Sequence, residues 1–168
     1  MLLDIAPTLA MYANTSEAFA RSYWHWFFLI QPPPLPEALI ESDPVRYIHS
    51  VMGSRHAGLR AFHPGAMAEY QRCAGLPGSA EAICEDYRAS AGVDLDHDRA
   101  DRAGQCKLTQ PLRVLWAEHG AVGRCFDVLA LWREVADDVT GETLPCGHYL
   151  AEEVPELLLQ QVPSFFRS

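Results

Sequence analysis

The sequence predicts an α/β protein in which a short parallel sheet is interrupted by a long helical insert. Three observations carry this reading. Residues 106–168 hold two apolar runs of strand length, "LRVLWAE" (112–118) and "DVTGETLPC" (138–146), each followed by a short loop and a helical pattern. The chain opens on "MLLDIAPT", which reads as the end of a buried strand, an acidic residue and a proline-containing turn. Between these ends, residues 14–105 carry helix starts and stops in succession and no strand pattern. Strand, helix, strand, helix with short loops is the signature of parallel βαβ units.

Length and composition narrow the classes. With 168 residues, 49% of them hydrophobic, the chain is one domain or part of one, large enough to enclose a core. Its net charge of −9 argues against a nucleic-acid backbone or an anionic membrane as partner. The five cysteines (73, 84, 106, 125, 146) show no CxxC spacing, and an odd, scattered set reads as reduced thiols of a cytoplasmic protein. No apolar run reaches the ~18 residues of a membrane span. The N-terminus lacks a basic leader and carries Asp4 inside its apolar stretch, so it does not read as a signal peptide. A folded domain rarely opens on the last residues of a buried strand, so the expectation is that the fold continues upstream of Met1.

The elements follow in order. Residues 1–13 are the end of a core strand and its acidic turn. Asn14, with Glu17 three residues on, resembles a capping box opening an aromatic helix over 17–31. "PPPLP" (32–36) stops that helix as a rigid turn. Asp43-Pro44 starts a helix ending near Gly53, His63-Pro64 one reaching Ala74, and Ser79 caps "AEAICEDYRASAG". After the strand at 112–118, Gly120 and Gly123 precede an amphipathic helix over 126–137. The strand at 138–146 leads into a glycine turn with His148 at its apex. The closing helix begins near Val154, and Pro163 is expected to kink it or end it early.

In open parallel sheets, chemistry gathers at the carboxyl ends of the strands. Asp4 and His148 both lie just past a strand, so the fold can place a carboxylate and an imidazole on one edge. A buried acid that orients a histidine, and a histidine that moves the proton, are two members of a hydrolase triad. The residues alone equally allow a capping carboxylate and a satisfied surface histidine. No G-x-S-x-G elbow occurs, no serine follows a strand, and Cys146 stands two residues before His148 on a strand that points the two apart. The acidic run "DLDHD" (94–98) has Arg99 where a calcium loop needs glycine, and reads as an acidic first turn of a helix. His49, His56 and His63 recur every seven residues, but Gly53, Gly58 and Pro64 break any shared helix; no metal and no cofactor is expected.

The segments "LDIAPTLAMY", "FARSYWHWFFLIQPPPLPE", "CEDYRASAGVDLDHDRAD", "VLWAEHGAVGRCFDVLALWRE" and "LPCGHYLAEEVPE" together resemble the haloacetate (fluoroacetate) dehalogenases of the α/β-hydrolase superfamily. The WHW and CEDYRA segments are specific to that family; the histidine turn is shared across the superfamily. The resemblance covers the C-terminal half of the fold. It implies three regions: 1–13 as strand end and acid turn, 14–105 as a helical cap, and 106–168 as the C-terminal part of the hydrolase core. It makes Asp4 the triad acid and His148 the base. His25 and Trp26 of "WHW", with Tyr87 of "EDYRA", fall at the halide-stabilising positions. An imidazole N–H, an indole N–H and a phenol O–H are three donors able to converge on a small anion, although by position alone all three also suit a packed core.

What the resemblance implies about activity follows from this assignment. An aspartate displaces halide from a haloacid, and a histidine-activated water hydrolyses the resulting ester. That nucleophile, and the arginines that hold the substrate carboxylate, lie upstream in the family and have no counterpart here, so the chain alone is expected to be inactive. Ala117 stands where the family tends to have glycine. Two other readings remain: a capped hydrolase of epoxide-hydrolase type, and a non-catalytic binding module derived from the cap. The expected partner is a small haloacid, with association of two copies through an exposed N-terminal strand.

Overall fold

The computed structural model describes residues 1–166. The chain begins with β1 (Leu2–Leu3). Eight helices follow: α1 (Thr8–Ala13), α2 (Glu17–Ser22), α3 (Trp24–Leu29), α4 (Leu35–Ser42), α5 (Pro44–Gly53), α6 (Pro64–Ala74), α7 (Ser79–Ala91) and α8 (Val93–Ala103), with a single 3-10 turn at Gly58–Ala61. Then come β2 (Leu112–Ala117), α9 (Ala121–Cys125), α10 (Val128–Val135), β3 (Val139–Leu144), α11 (Leu150–Glu153) and α12 (Pro155–Phe166). No described helix is long and apolar enough to cross a membrane.

The three strands form one parallel sheet in the order β1-β2-β3. Leu2 lies beside Val114 and Leu3 beside Leu115, while Leu112 to Ala117 pair in step with Val139 to Leu144. The central strand is covered on both faces, with Val114 and Leu115 both fully buried. That is why it reads as a continuous apolar run and not as an alternation.

Two cores flank the sheet. On one side Val114 and Leu112 meet Met11, Phe19, Tyr23 and Trp26 from the helical insert and Val122 and Val128 from α9 and α10. On the other, Leu115, Ala117, Leu144, Cys146 and Leu150 pack under α11 and α12. A third cluster of Leu29, Ile40, Ala80 and Cys84 holds the insert together. Arg88 reinforces it by pairing with the buried Glu37 at 2.6 Å and donating to the Gln31 carbonyl. Because Phe19 and Tyr23 belong to the same core as β2, the insert is anchored to the sheet by burial worth roughly 1.5–3 kcal/mol per large side chain.

Several local expectations are corrected. The stretch 17–31 is two helices, broken at Tyr23, whose backbone leaves the helical region at φ −114°, ψ 33°. Ser16, not Asn14, caps the first of them, its hydroxyl accepting from the Phe19 N–H at 3.2 Å. Asn14 instead closes α1, a helix the proline-containing turn had masked. The "PPPLP" stretch stops one helix and begins another, because a proline in a first helical turn forfeits no hydrogen bond. Ser79 is the first residue of α7; its hydroxyl donates to the Cys73 carbonyl, and Gly78 at φ +81° makes the turn before it. Helix α12 runs through Pro163 to Phe166, so the proline does not end it. The helix expected at 126–137 is confined to α10, capped by Asp127, with α9 a separate turn before it. Starts at Pro44, with Asp43 as cap, and at Pro64 stand as read, and "DLDHD" does form the acidic first turn of α8.

Candidate active site

Parallel pairing puts the carboxyl ends of all three strands on one edge, where Asp4, the 118–120 turn and His148 follow β1, β2 and β3. Asp4 continues the ladder by one bond, its N–H donating to the Leu115 carbonyl at 2.7 Å, and then breaks the strand at φ +47°. Its carboxylate is only 1% exposed, which is tolerable because each oxygen has a partner. Oδ1 accepts the Ala117 N–H at 2.9 Å, and Oδ2 accepts from His148 Nδ1 at 2.7 Å. Any side chain at Gly120 would press on this pair, since a Cβ there would lie 3.2 Å from Asp4 Oδ2 and 2.8 Å from the Ala117 Cβ.

The His148 turn is fastened from behind. Glu153 in α11 accepts the Gly147 N–H at 2.7 Å and the Tyr149 N–H at 3.2 Å, bracketing the histidine. The His119 N–H donates to the Cys146 carbonyl, tying the end of β3 to the turn after β2. With Nδ1 donating to Asp4, the ring's other nitrogen, Nε2, is the one free to take a proton. Among the described residues no serine, cysteine or further aspartate bonds to that ring. Cys146 is buried, and burial first, then Glu153 and Asp4, pushes its thiol up to about 12, so it is a protonated core residue and no nucleophile.

The insert reaches the pair through Tyr23. Its hydroxyl lies 3.3 Å from His148 Nδ1, and its ring lies 5.4 Å from His25 and 5.6 Å from Trp26. Tyr87 stands edge-on to both, 5.9 Å from the His25 ring and 6.4 Å from Trp26. His25, Trp26 and Tyr87 therefore form one ring cluster, joined to His148 by Tyr23. They do not share a cavity with His148. Trp26 and Tyr87 line one of about 220 Å³ beside Tyr12, whereas His148 opens on another of about 430 Å³.

The protonation states suit donation. Burial, with Arg55 and His148 nearby, lowers His25 to about 3, so its imidazole is neutral at neutral pH. Arg55 can only donate, so the 3.4 Å contact to His25 Nε2 makes that nitrogen the acceptor and leaves the proton on Nδ1. Nδ1 is buried and unpartnered, an arrangement that costs about 1–3 kcal/mol until an acceptor arrives. Burial raises the Tyr87 phenol, keeping it a donor.

Three contributors went unnoticed in the sequence. Tyr23 looked like one more aromatic of a helix, and Glu153 like an ordinary first-turn acid. Arg55 carries no local signal at all: it becomes informative only where it lies 4.7 Å over the Tyr23 ring. The net charge also misled locally, since Arg21, Arg55 and Arg124 line the His148 cavity. The spaced histidines serve separate ends: His49 contacts Gln71, His56 stacks on His119, and His63 caps α6.

This geometry, an acid–histidine pair at the carboxyl edge of a parallel sheet beneath a helical insert, is that of an α/β-hydrolase, and the relatives agree. The chain is 32% identical to a fluoroacetate dehalogenase from Burkholderia sp over 158 residues, 92% of this chain and 51% of the relative. It is 30% identical to a soluble epoxide hydrolase from Corynebacterium sp. (strain C12), across 98% of this chain and 57% of the relative. A solved structure from Nostoc sp PCC 7120, assigned to the α/β hydrolases, superposes with a TM-score of 0.90 at 50% identity, over 98% of this chain and 56% of the other. No family model matches the chain. The chain belongs to the α/β-hydrolase superfamily and corresponds to the C-terminal portion of that fold. It spans about half the length of the curated relatives it matches.

Proposed function

We propose that this chain supplies the acid, the base and the leaving-group donors of a hydrolase that removes halide from a haloacetate. The reading rests on one observation: three donor-bearing rings, His25, Trp26 and Tyr87, pack together one residue away from an Asp4–His148 pair. In this reaction a carboxylate oxygen attacks the carbon bearing the halogen. The carbon–halogen bond breaks with its electrons going to the halide, and an ester forms. Donors placed where that charge develops lower the barrier, most of all for fluoride, which holds its bond and its hydration strongly. His148 Nε2 then takes a proton from water, whose oxygen attacks the ester carbonyl. Glycolate leaves, and the carboxylate is regenerated.

The attacking carboxylate comes, on this reading, from outside these 168 residues. Asp4 is not available for the role, because both its oxygens are engaged in positioning. The test is a fusion placing the first half of the Burkholderia fluoroacetate dehalogenase ahead of Met1. Fluoride released from fluoroacetate by the fusion, absent with the 168-residue chain alone and lost on His148→Ala, is the expected result.

The epoxide-hydrolase relative supports a second reading, in which His25 and Tyr87 donate to an epoxide oxygen. A fusion that opens epoxides and releases no fluoride would select it. The Trp26 N–H, a third donor, favours the halide.

A further inference from the structure

We propose that Arg55 and Arg124, both anchored on Ser22, form a two-guanidinium receptor for a small carboxylate anion in the cavity beside His148. The inference builds on the haloacid reading, since a haloacetate is such an anion.

Ser22 ends α2 and holds both cations. Arg55 NH1 donates to its carbonyl at 3.0 Å, and Arg124 NH2 to its hydroxyl at 3.3 Å. Both guanidiniums line the cavity of about 430 Å³ onto which His148 opens, and that lining contains no aspartate or glutamate. Six other arginines pair with a carboxylate, yet neither of these two does among the described residues. In a chain with 22 acidic and 13 basic residues, two neighbouring cations without acids are not a product of composition. Arg55 is also incompletely satisfied: its Nε is buried and without a partner.

The chemistry selects the ligand. A guanidinium offers a planar fork matched to two oxygens, so paired forks recognise a carboxylate. The Tyr23 ring beneath Arg55 fixes the plane of one fork and excludes water from that face. The cavity adjoins the base, so a carboxylate held here keeps the α-carbon of a two-carbon acid close to His148.

The experiment titrates sodium acetate into the 168-residue chain at constant ionic strength, following the arginine Nε–H resonances by 15N NMR. Acetamide, the neutral counterpart, is the control. Saturable acetate binding that moves Arg55 and Arg124, with no response to acetamide, is expected. Arg55→Met and Arg124→Met should each weaken binding about tenfold, the loss of one charge-assisted contact. Arg55→Lys should restore part of it. Arg124 is exposed, so its variant keeps the test decisive if Arg55→Met does not fold. No saturable acetate binding, an equal response to acetamide, or unchanged affinity in Arg124→Met would each overturn the proposal. Fluoride release by the fusion without an acetate site sinks this inference alone; acetate binding without fluoride release sinks only the haloacid reading.

Discussion

The Tyr23 hydroxyl stands 3.3 Å from His148 Nδ1, the same nitrogen that donates to Asp4 at 2.7 Å. One residue of the insert thus touches the acid–histidine pair while its ring stacks on Phe19 in the core. Its hydroxyl and its ring should have separable effects. Tyr23→Phe keeps the stack and is expected to cost about 0.5–1.5 kcal/mol in urea unfolding. Tyr23→Ala empties a fully buried site and is expected to cost about 3–5 kcal/mol. Similar losses for both would show that the hydroxyl, not the packing, dominates.

Asp4→Asn tests the orientation of the base. An amide nitrogen facing Nδ1 favours the wrong histidine tautomer while leaving the backbone intact. Turnover of the active fusion should drop by about 10⁴, as when the acid of a triad is amidated. A loss below tenfold would remove Asp4 from the catalytic role.

Tyr87→Phe tests the leaving-group donors. Removing one preorganised donor costs on the order of 10²–10³ in rate. In the fusion the loss should be far larger for fluoroacetate than for bromoacetate, whose leaving group needs less help. Equal losses on both substrates would make Tyr87 a packing residue.

His25 imposes a pH dependence on stability. Its folded pKa of about 3 lies below the ordinary ~6.5, so between these values the unfolded chain binds the extra proton. Stability from this residue is complete above about pH 6.5 and is lost as the pH falls toward 3. The slope is at most about 1.4 kcal/mol per pH unit. Urea unfolding at pH 7, 6 and 5 should show a steeper decline for the wild-type chain than for His25→Asn. Parallel declines would mean that the imidazole titrates freely in the fold.

Strand β1 should drive association. It is two residues long, its only partner is β2, and Leu3 is 39% exposed. An apolar strand with an open edge is a template for another chain. Sedimentation of the 168-residue chain is expected to show dimers or larger species, and Leu3→Lys to shift them toward monomer. A clean wild-type monomer with a cooperative melt would count against association through this edge.

What the sequence determined by itself is what local chemistry controls. The β2 run was legible because a strand buried on both faces must be apolar throughout. The helix starts at Asp43-Pro44 and His63-Pro64 were legible because capping is decided within four residues. Asp4 and His148 were nominated because strand ends are readable and parallel sheets collect them on one edge. Tertiary structure decided the rest. Only the register of β1, β2 and β3 brings Asp4 to within 2.7 Å of a histidine 144 positions away. Only packing breaks the aromatic helix at Tyr23, because that ring is drawn into the core between Phe19 and Trp26. And Arg55, silent in its own neighbourhood, acquires meaning when the fold stacks it on that ring beside a carboxylate-free cavity. Helix caps and apolar runs are short-range and leave a trace in neighbouring residues. The site's electrostatics arise between residues far apart in the chain, where no local pattern records them.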